Sequence, residues 1–204
     1  MSEATTIAPH ALELEELELA ASLERWDDPA ARRRRARERR LAHDLVELSR
    51  LDHGLERAEP APVDLGRLLR ALTTDYPGLS LEGPASVRVE TDSRRLARVL
   101  FVLLDNAQLH GDPPVVVRYD ECAIAVSDAG AGFPANGLAH AAEPFVTGRG
   151  TGGRGVGLSL AIARRQAALL GAELLIGNGR GGGAIVTVRF ARALPTAESV
   201  PAAR

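Results

Sequence analysis

A chain of 204 residues, 45% of them hydrophobic, can bury the core of one ordinary domain and has length left for a smaller appendage. Its net charge of -2 gives no reason to expect a nucleic-acid partner, and its single cysteine excludes both a disulfide framework and a cysteine-rich zinc site. No apolar run approaches the ~18 residues of a membrane span, and the N-terminus shows no basic-then-apolar leader, so the expected location is the cytoplasm. All 25 basic residues are arginine, which removes every lysine-based phosphate contact.

The first predicted element is a helix over about residues 8 to 25, with Leu12, Leu19, Leu23 and Trp26 near one stripe. Asp27-Asp28-Pro29 reads as a stop and restart, because aspartate caps helices and proline fits the first turn. A second helix follows to about Leu55, with Leu41, Leu45, Leu48 and Leu51 at helical spacing and Gly54 at its end. Its first half carries Arg32 to Arg35, Arg37, Arg39 and Arg40, read as a solvated face, or with Arg37 to Arg40 level with Glu15, Glu16 and Glu18 across a hairpin. Such a hairpin is too thin to stand alone and is expected to dimerise into a four-helix bundle. Glu59-Pro-Ala-Pro-Val63 reads as a linker.

Beyond it, Asp64 is placed to cap a helix to about Thr74, and short β-like runs lie near Leu79–Leu81 and Val87–Glu90. Asp92 opens a strong helix whose buried side is Leu96, Val99, Leu100, Leu103 and Leu104. Val115–Tyr119 and Cys122–Ser127 read as a hairpin about Asp120-Glu121, with Cys122 as a small core residue in its strand. A long glycine-rich stretch follows, of the length that marks a lid or binding loop. A helix over Val156–Leu170 ends at Gly171, strands Ala172–Ile176 and Ala184–Phe190 complete the domain, and the tail beyond Leu194 is expected to be disordered. The expected fold class is α+β, a two-layer α/β sandwich with helices on one face of a mixed sheet. The expected division is a helical hairpin over 1–57, a mixed domain over 58–194 and a tail over 195–204.

Three segments carry chemistry. Asp128 sits where an apolar strand meets Gly130 and Gly132; its carboxylate can accept a hydrogen bond from an exocyclic amine, and the glycines leave room for a flat ring. A plain Asp-Gly turn is the simpler reading. Asn106 offers a neutral amide oxygen of the kind that ligates magnesium bridging to phosphates, and His110 follows one turn later on the same face. Both also fit as ordinary polar residues at a helix end. Gly153-Arg-Gly-Val-Gly-Leu158, with glycines 153, 155 and 157, runs directly into a helix, whose N-terminus suits phosphate.

Taken in order, these segments resemble the ATP-binding domain of bacterial sensor histidine kinases, within the wider group of gyrase B, Hsp90 chaperones and MutL. Leu96 to Ala107 is similar to the asparagine box, Asp128-Ala-Gly-Ala-Gly-Phe-Pro134 to the first glycine box, Glu143-Pro-Phe145 to the phenylalanine box, and Gly153 to Leu158 to the second glycine box. The resemblance implies a Bergerat-type fold over about Val63 to Leu194, magnesium on Asn106, adenine on Asp128, and an ATP lid from Ala129 to Arg154. It implies ATP and Mg2+ as ligands, a dimeric hairpin bearing a phosphoacceptor histidine, and transfer onward to the receiver domain of a response regulator. His10 is the histidine expected on the first helix, but Ala11 stands where the family has an acidic neighbour, and the polar residue and proline that follow are absent. His43-Asp44 looks like an acceptor pair but falls on the second helix. Val102 stands where family members have Asn and related ATPases a catalytic Glu, and Leu109 replaces a usual Lys or Arg. The leading expectation is a histidine-kinase-like protein that takes input from a separate sensor or kinase partner. The alternative is an inactive phosphotransferase or scaffold that keeps the fold.

Overall fold

The computed structural model describes residues 28–147 and 156–190. The predicted first helix, His10 and the tail lie outside these residues. By its internal contacts the chain divides into two units, residues 1–43 and 44–204. The boundary falls inside helix α1, Pro29–Asp52. Asp28 caps that helix, its carboxylate accepting from the N–H groups of Ala30 at 2.9 Å and Ala31 at 3.3 Å. In the first unit the arginine-rich half of α1 is largely exposed, with an i,i+4 pair between Arg34 and Glu38 at 3.8 Å.

The second unit contains the remaining elements. Strand β1 spans Ala61–Asp64, α2 Leu65–Thr73, β2 Leu79–Glu82, β3 Arg88–Thr91, α3 Ser93–His110, β4 Val115–Tyr119 and β5 Ala123–Ser127. A 3-10 turn at Leu138–His140, helix α4 at Ser159–Leu169, and strands β6 at Ala172–Asn178 and β7 at Ala184–Phe190 follow. Five strands form a sheet in the order β2-β4-β5-β7-β6, parallel only between β2 and β4. β1 and β3 form a separate antiparallel pair.

The period-2 pattern of the sheet turns Val117, Ile124, Val126, Val186 and Val188 inward, onto the side covered by the helices. The 3.6-residue period of α3 turns Leu96, Val99, Leu100, Leu103 and Leu104 into the same core, each no more than 1% exposed. Asp64 and Asp92 cap α2 and α3 as their positions predict. The result is the expected α+β two-layer sandwich.

Three expectations are corrected. The proline-rich segment read as a linker contains β1, whose Ala61 to Asp64 pair with Thr91 to Arg88. Cys122 is exposed and lies before its strand, because Asp120 Oδ1 accepts from Cys122 N at 2.7 Å and Ala123 N at 2.9 Å and holds those residues in a turn. The last helix begins at Ser159 rather than Val156, since Gly157 has a φ of 75°, outside helical backbone.

Residues 44–57 belong to the second unit and are tied to it by arginines. Arg98 of α3 reaches Asp44 at 3.0 Å and Glu47 at 2.8 Å. Glu47 also accepts from Gln166 of α4 at 2.8 Å, Gln166 accepts from Arg95 at 2.9 Å, and Arg95 reaches Glu56 at 2.8 Å. Arg165 pairs with Asp52. Every ion pair among the described residues uses an arginine cation except His140 with Glu143.

Candidate functional site: the carboxylate at the end of β5

β5 delivers Asp128 to the C-terminal end of the sheet's central strand, one residue past its last ladder pair, Ser127 with Ile185. There the carboxylate is held by backbone: Oδ1 accepts from Gly130 N at 2.8 Å and from Ala184 N at 3.2 Å. Asp128 N in turn donates to Ala184 O at 3.1 Å. The other carboxylate oxygen accepts no hydrogen bond from the described residues, and the side chain is half-buried. One oxygen therefore fixes the group while its neighbour remains open to a donor.

Two close approaches make this possible. Gly183, at φ 77°, lies against the carbonyl of Asp128, where a Cβ would collide with that oxygen. Gly111, the residue that ends α3, lies against the carboxylate itself, and a Cβ there would overlap the Asp128 side chain. Ala129 N donates to Asp112 O at 2.8 Å and closes the junction. The last turn of α3 thus ends at Asp128.

That turn carries Asn106 and His110. Asn106 is half-buried, and its side chain makes no hydrogen bond among the described residues. An amide oxygen left free at this place suits a hard cation that takes most of its ligands from phosphate and water. His110 is exposed. Val102, one turn earlier, is buried at 5% exposure, so the helix face that would hold a carboxylate or amide there is apolar.

Beyond Asp128 the loop is gripped a second time. Gly132 brings the chain against Asn178, the last residue of β6, whose amide bonds both backbone groups of Phe133. Phe145 lies further on, exposed, with φ 67°, a strained conformation for a residue other than glycine. Its N–H donates to Gly157 O at 2.9 Å. Leu158 is buried at 2% exposure. Gly153 and Gly155 lie outside the described residues.

The structure therefore brings together Asp128, Gly130 and the end of the Asn106 helix, and separately Phe145 and Gly157. Sequence reasoning missed Gly111, Gly183 and Asn178. Their function comes from contacts with residues distant in the chain, and the one legible signal was that a glycine or asparagine stood at each.

Residues 91–194, just over half of the chain, match the family of histidine kinase-, DNA gyrase B- and HSP90-like ATPases. The chain belongs to this family. It is 43% identical over 148 residues to the sensor protein CseC of Streptomyces coelicolor, covering 72% of this chain and 29% of that protein. It is 34% identical over 171 residues to the signal transduction histidine-protein kinase AfsQ2 of the same organism, covering 79% and 31%. The chain thus spans under a third of the length of these curated relatives. The fold is that of the full-length ShkA crystal structure in complex with AMPPNP, with a TM-score of 0.67 at 24% identity over 82% of this chain and 38% of that one. Acinetobacter baumannii histidine kinase AdeS gives 0.65 at 20% identity over 89% and 96%. Residues 91–194 are thus an ATPase domain of the histidine kinase, gyrase B and HSP90 type, similar to the one in these sensor kinases.

Proposed function

We propose that the protein binds Mg-ATP and takes part in phosphoryl transfer to a histidine and on to the receiver domain of a response regulator. The observation that carries this reading is Asp128: one oxygen is tied to backbone, the other is open, and the group sits at the end of the helix that bears Asn106. The open oxygen would accept from the amine of adenine. Asn106 would hold magnesium, which supplies charge neutralisation at the phosphates. His110 would contact phosphate, as would Gly153, Gly155 and Gly157 through their backbone, while Phe145 and Leu158 frame the lid. Catalysis would rest on positioning and electrostatics rather than on a covalent enzyme intermediate.

The acceptor would be His10 or a histidine of a partner chain. Residues 1–57 would form a hairpin that pairs with a second copy, and residues 58–194 the ATP-binding domain. Action would be in the cytoplasm, with input from a separate sensor or kinase; no helix of the described residues is long and apolar enough to cross a membrane.

A second reading, a scaffold or phosphotransferase without kinase activity, is favoured by buried Val102 and by Leu109, 63% exposed where family members place a cation. A fluorescent ATP analogue with magnesium tests the main reading: wild type is expected to bind and Asp128→Asn to lose binding. Equal binding by both would remove Asp128 from the site. Acid-labile label from radioactive ATP, compared in wild type and His10→Gln, tests the acceptor. Label that persists in the variant places the acceptor elsewhere, and no label with ATP bound supports the scaffold.

A further inference from the structure

We propose that Asn178 is a positioning residue for the purine end of the nucleotide site, an inference that rests on the functional reading above. Its Oδ1 accepts from Phe133 N at 2.7 Å while its Nδ2 donates to Phe133 O at 2.8 Å. A side-chain amide here does what a neighbouring strand would do for one residue, satisfying donor and acceptor together. The orientation of the amide is set by these partners, since the flipped form would face oxygen with oxygen and N–H with N–H. A carboxylate could fill only the accepting half.

The consequence for the site follows from what else holds the loop. Among the described residues, the span from Gly130 to Phe133 is fixed by Gly130 N on Asp128 Oδ1 and by the Asn178 amide on Phe133. Gly132 draws this span tight: a Cβ there would lie 2.6 Å from Asn178 Oδ1 and 2.9 Å from Gly183 O. Asn178 opens the turn that Gly179 N closes on Gly183 O at 3.0 Å, and that same turn presents Ala184 N to Asp128. One hairpin therefore grips the loop at both ends, through Asp128 and through Phe133, and Phe133 is packed on the hydrophobic core. With the Phe133 clamp gone, the local Gly130 bond is, among the described residues, the one hydrogen bond that still ties this span to Asp128, and the span is free to pull on it. The carboxylate is then anchored to a looser loop and turns more freely, so it meets the purine amine less often in the right orientation.

The test uses the full chain and titration calorimetry with ADP and with inosine diphosphate, which lacks the exocyclic amine. Asn178→Ala is expected to weaken ADP binding about tenfold, the size of one or two lost hydrogen bonds, and to narrow the preference for ADP over inosine diphosphate. The unliganded melting temperature reads any general loss of fold. Asn178→Asp, which keeps the acceptor and loses the donor, is expected to fall between wild type and Ala. Unchanged ADP affinity in Asn178→Ala overturns the proposal. So does an equal loss for both ligands with a large fall in melting temperature, which is a folding defect and not positioning. A wild-type protein that binds neither nucleotide overturns the functional reading and this proposal together, whereas wild-type binding with an indifferent Asn178→Ala overturns this proposal alone.

Discussion

Asp128 uses one oxygen to hold itself in place and leaves the other open, and this division governs how its variants should behave. In Asp128→Asn the amide oxygen can still accept from Gly130 and Ala184, so the fold is expected to survive. The open position then presents N–H to the purine amine, donor against donor. ATP affinity is expected to fall about 10- to 100-fold by calorimetry, the range for a lost hydrogen bond to a charged group, with little change in melting temperature. Gly111→Ala tests the other side of the same contact. Its new methyl group must displace the carboxylate, so a stability loss of about 1–3 kcal/mol by chemical denaturation is expected, together with weaker nucleotide binding. Sequence reading singled out Asp128 and Asn106 because carboxylate and amide chemistry is written in the residue itself. It missed Gly111 and Gly183 because a glycine shows its reason only through what presses on it, here a side chain or carbonyl far away in the chain.

At the scale of elements, local rules were legible and distant pairings were not. Asp64 and Asp92 read as caps because a capping carboxylate bonds N–H groups two or three residues ahead. β1 did not read as a strand because its partner, β3, begins beyond the next helix, and Pro62 within it and Pro60 just before it argued against a ladder. Asp92 serves both levels. Burial opposes its charge, but the N–H groups of Glu59, Arg95 and Arg94 and the Arg95 guanidinium outweigh that and hold its carboxyl below 3.8. A depressed folded pKa contributes stability that is present above the unfolded value and is lost as pH falls through the folded one. Asp92→Asn is therefore expected to cost about 1 kcal/mol near neutral pH and to flatten the loss of stability below about pH 4, measured by urea denaturation across that range. Arg98 joins α3 to α1, with burial working against its charge and Glu47 and Asp44 more than restoring it. Arg98→Ala leaves two poorly exposed carboxylates facing each other and is expected to cost about 2 kcal/mol. Adding Glu47→Ala is expected to cost less than the sum of the two changes.

For the whole molecule, the division between units falls inside one helix, so α1 serves both. Buried Leu48 and the pairs of Asp44, Glu47, Asp52 and Glu56 all lie on the side of the ATP-binding unit. A chain shortened to begin at Asp44 is accordingly expected to melt several degrees above one that begins at Ala58, by scanning calorimetry. The Leu41–Leu51 spacing announced a helix but not this second attachment, because the pairs that make it use the charged residues Asp44, Glu47 and Asp52, which a search for apolar spacing passes over. The links themselves are nearly all guanidinium to carboxylate. Guanidinium keeps its proton well past the alkaline range in which an ammonium begins to lose one, so these contacts should outlast mild base. Reagents and enzymes that modify ε-amino groups find no target in this polypeptide, and a carbamylating or acetylating cell could not loosen its interior connections by that route.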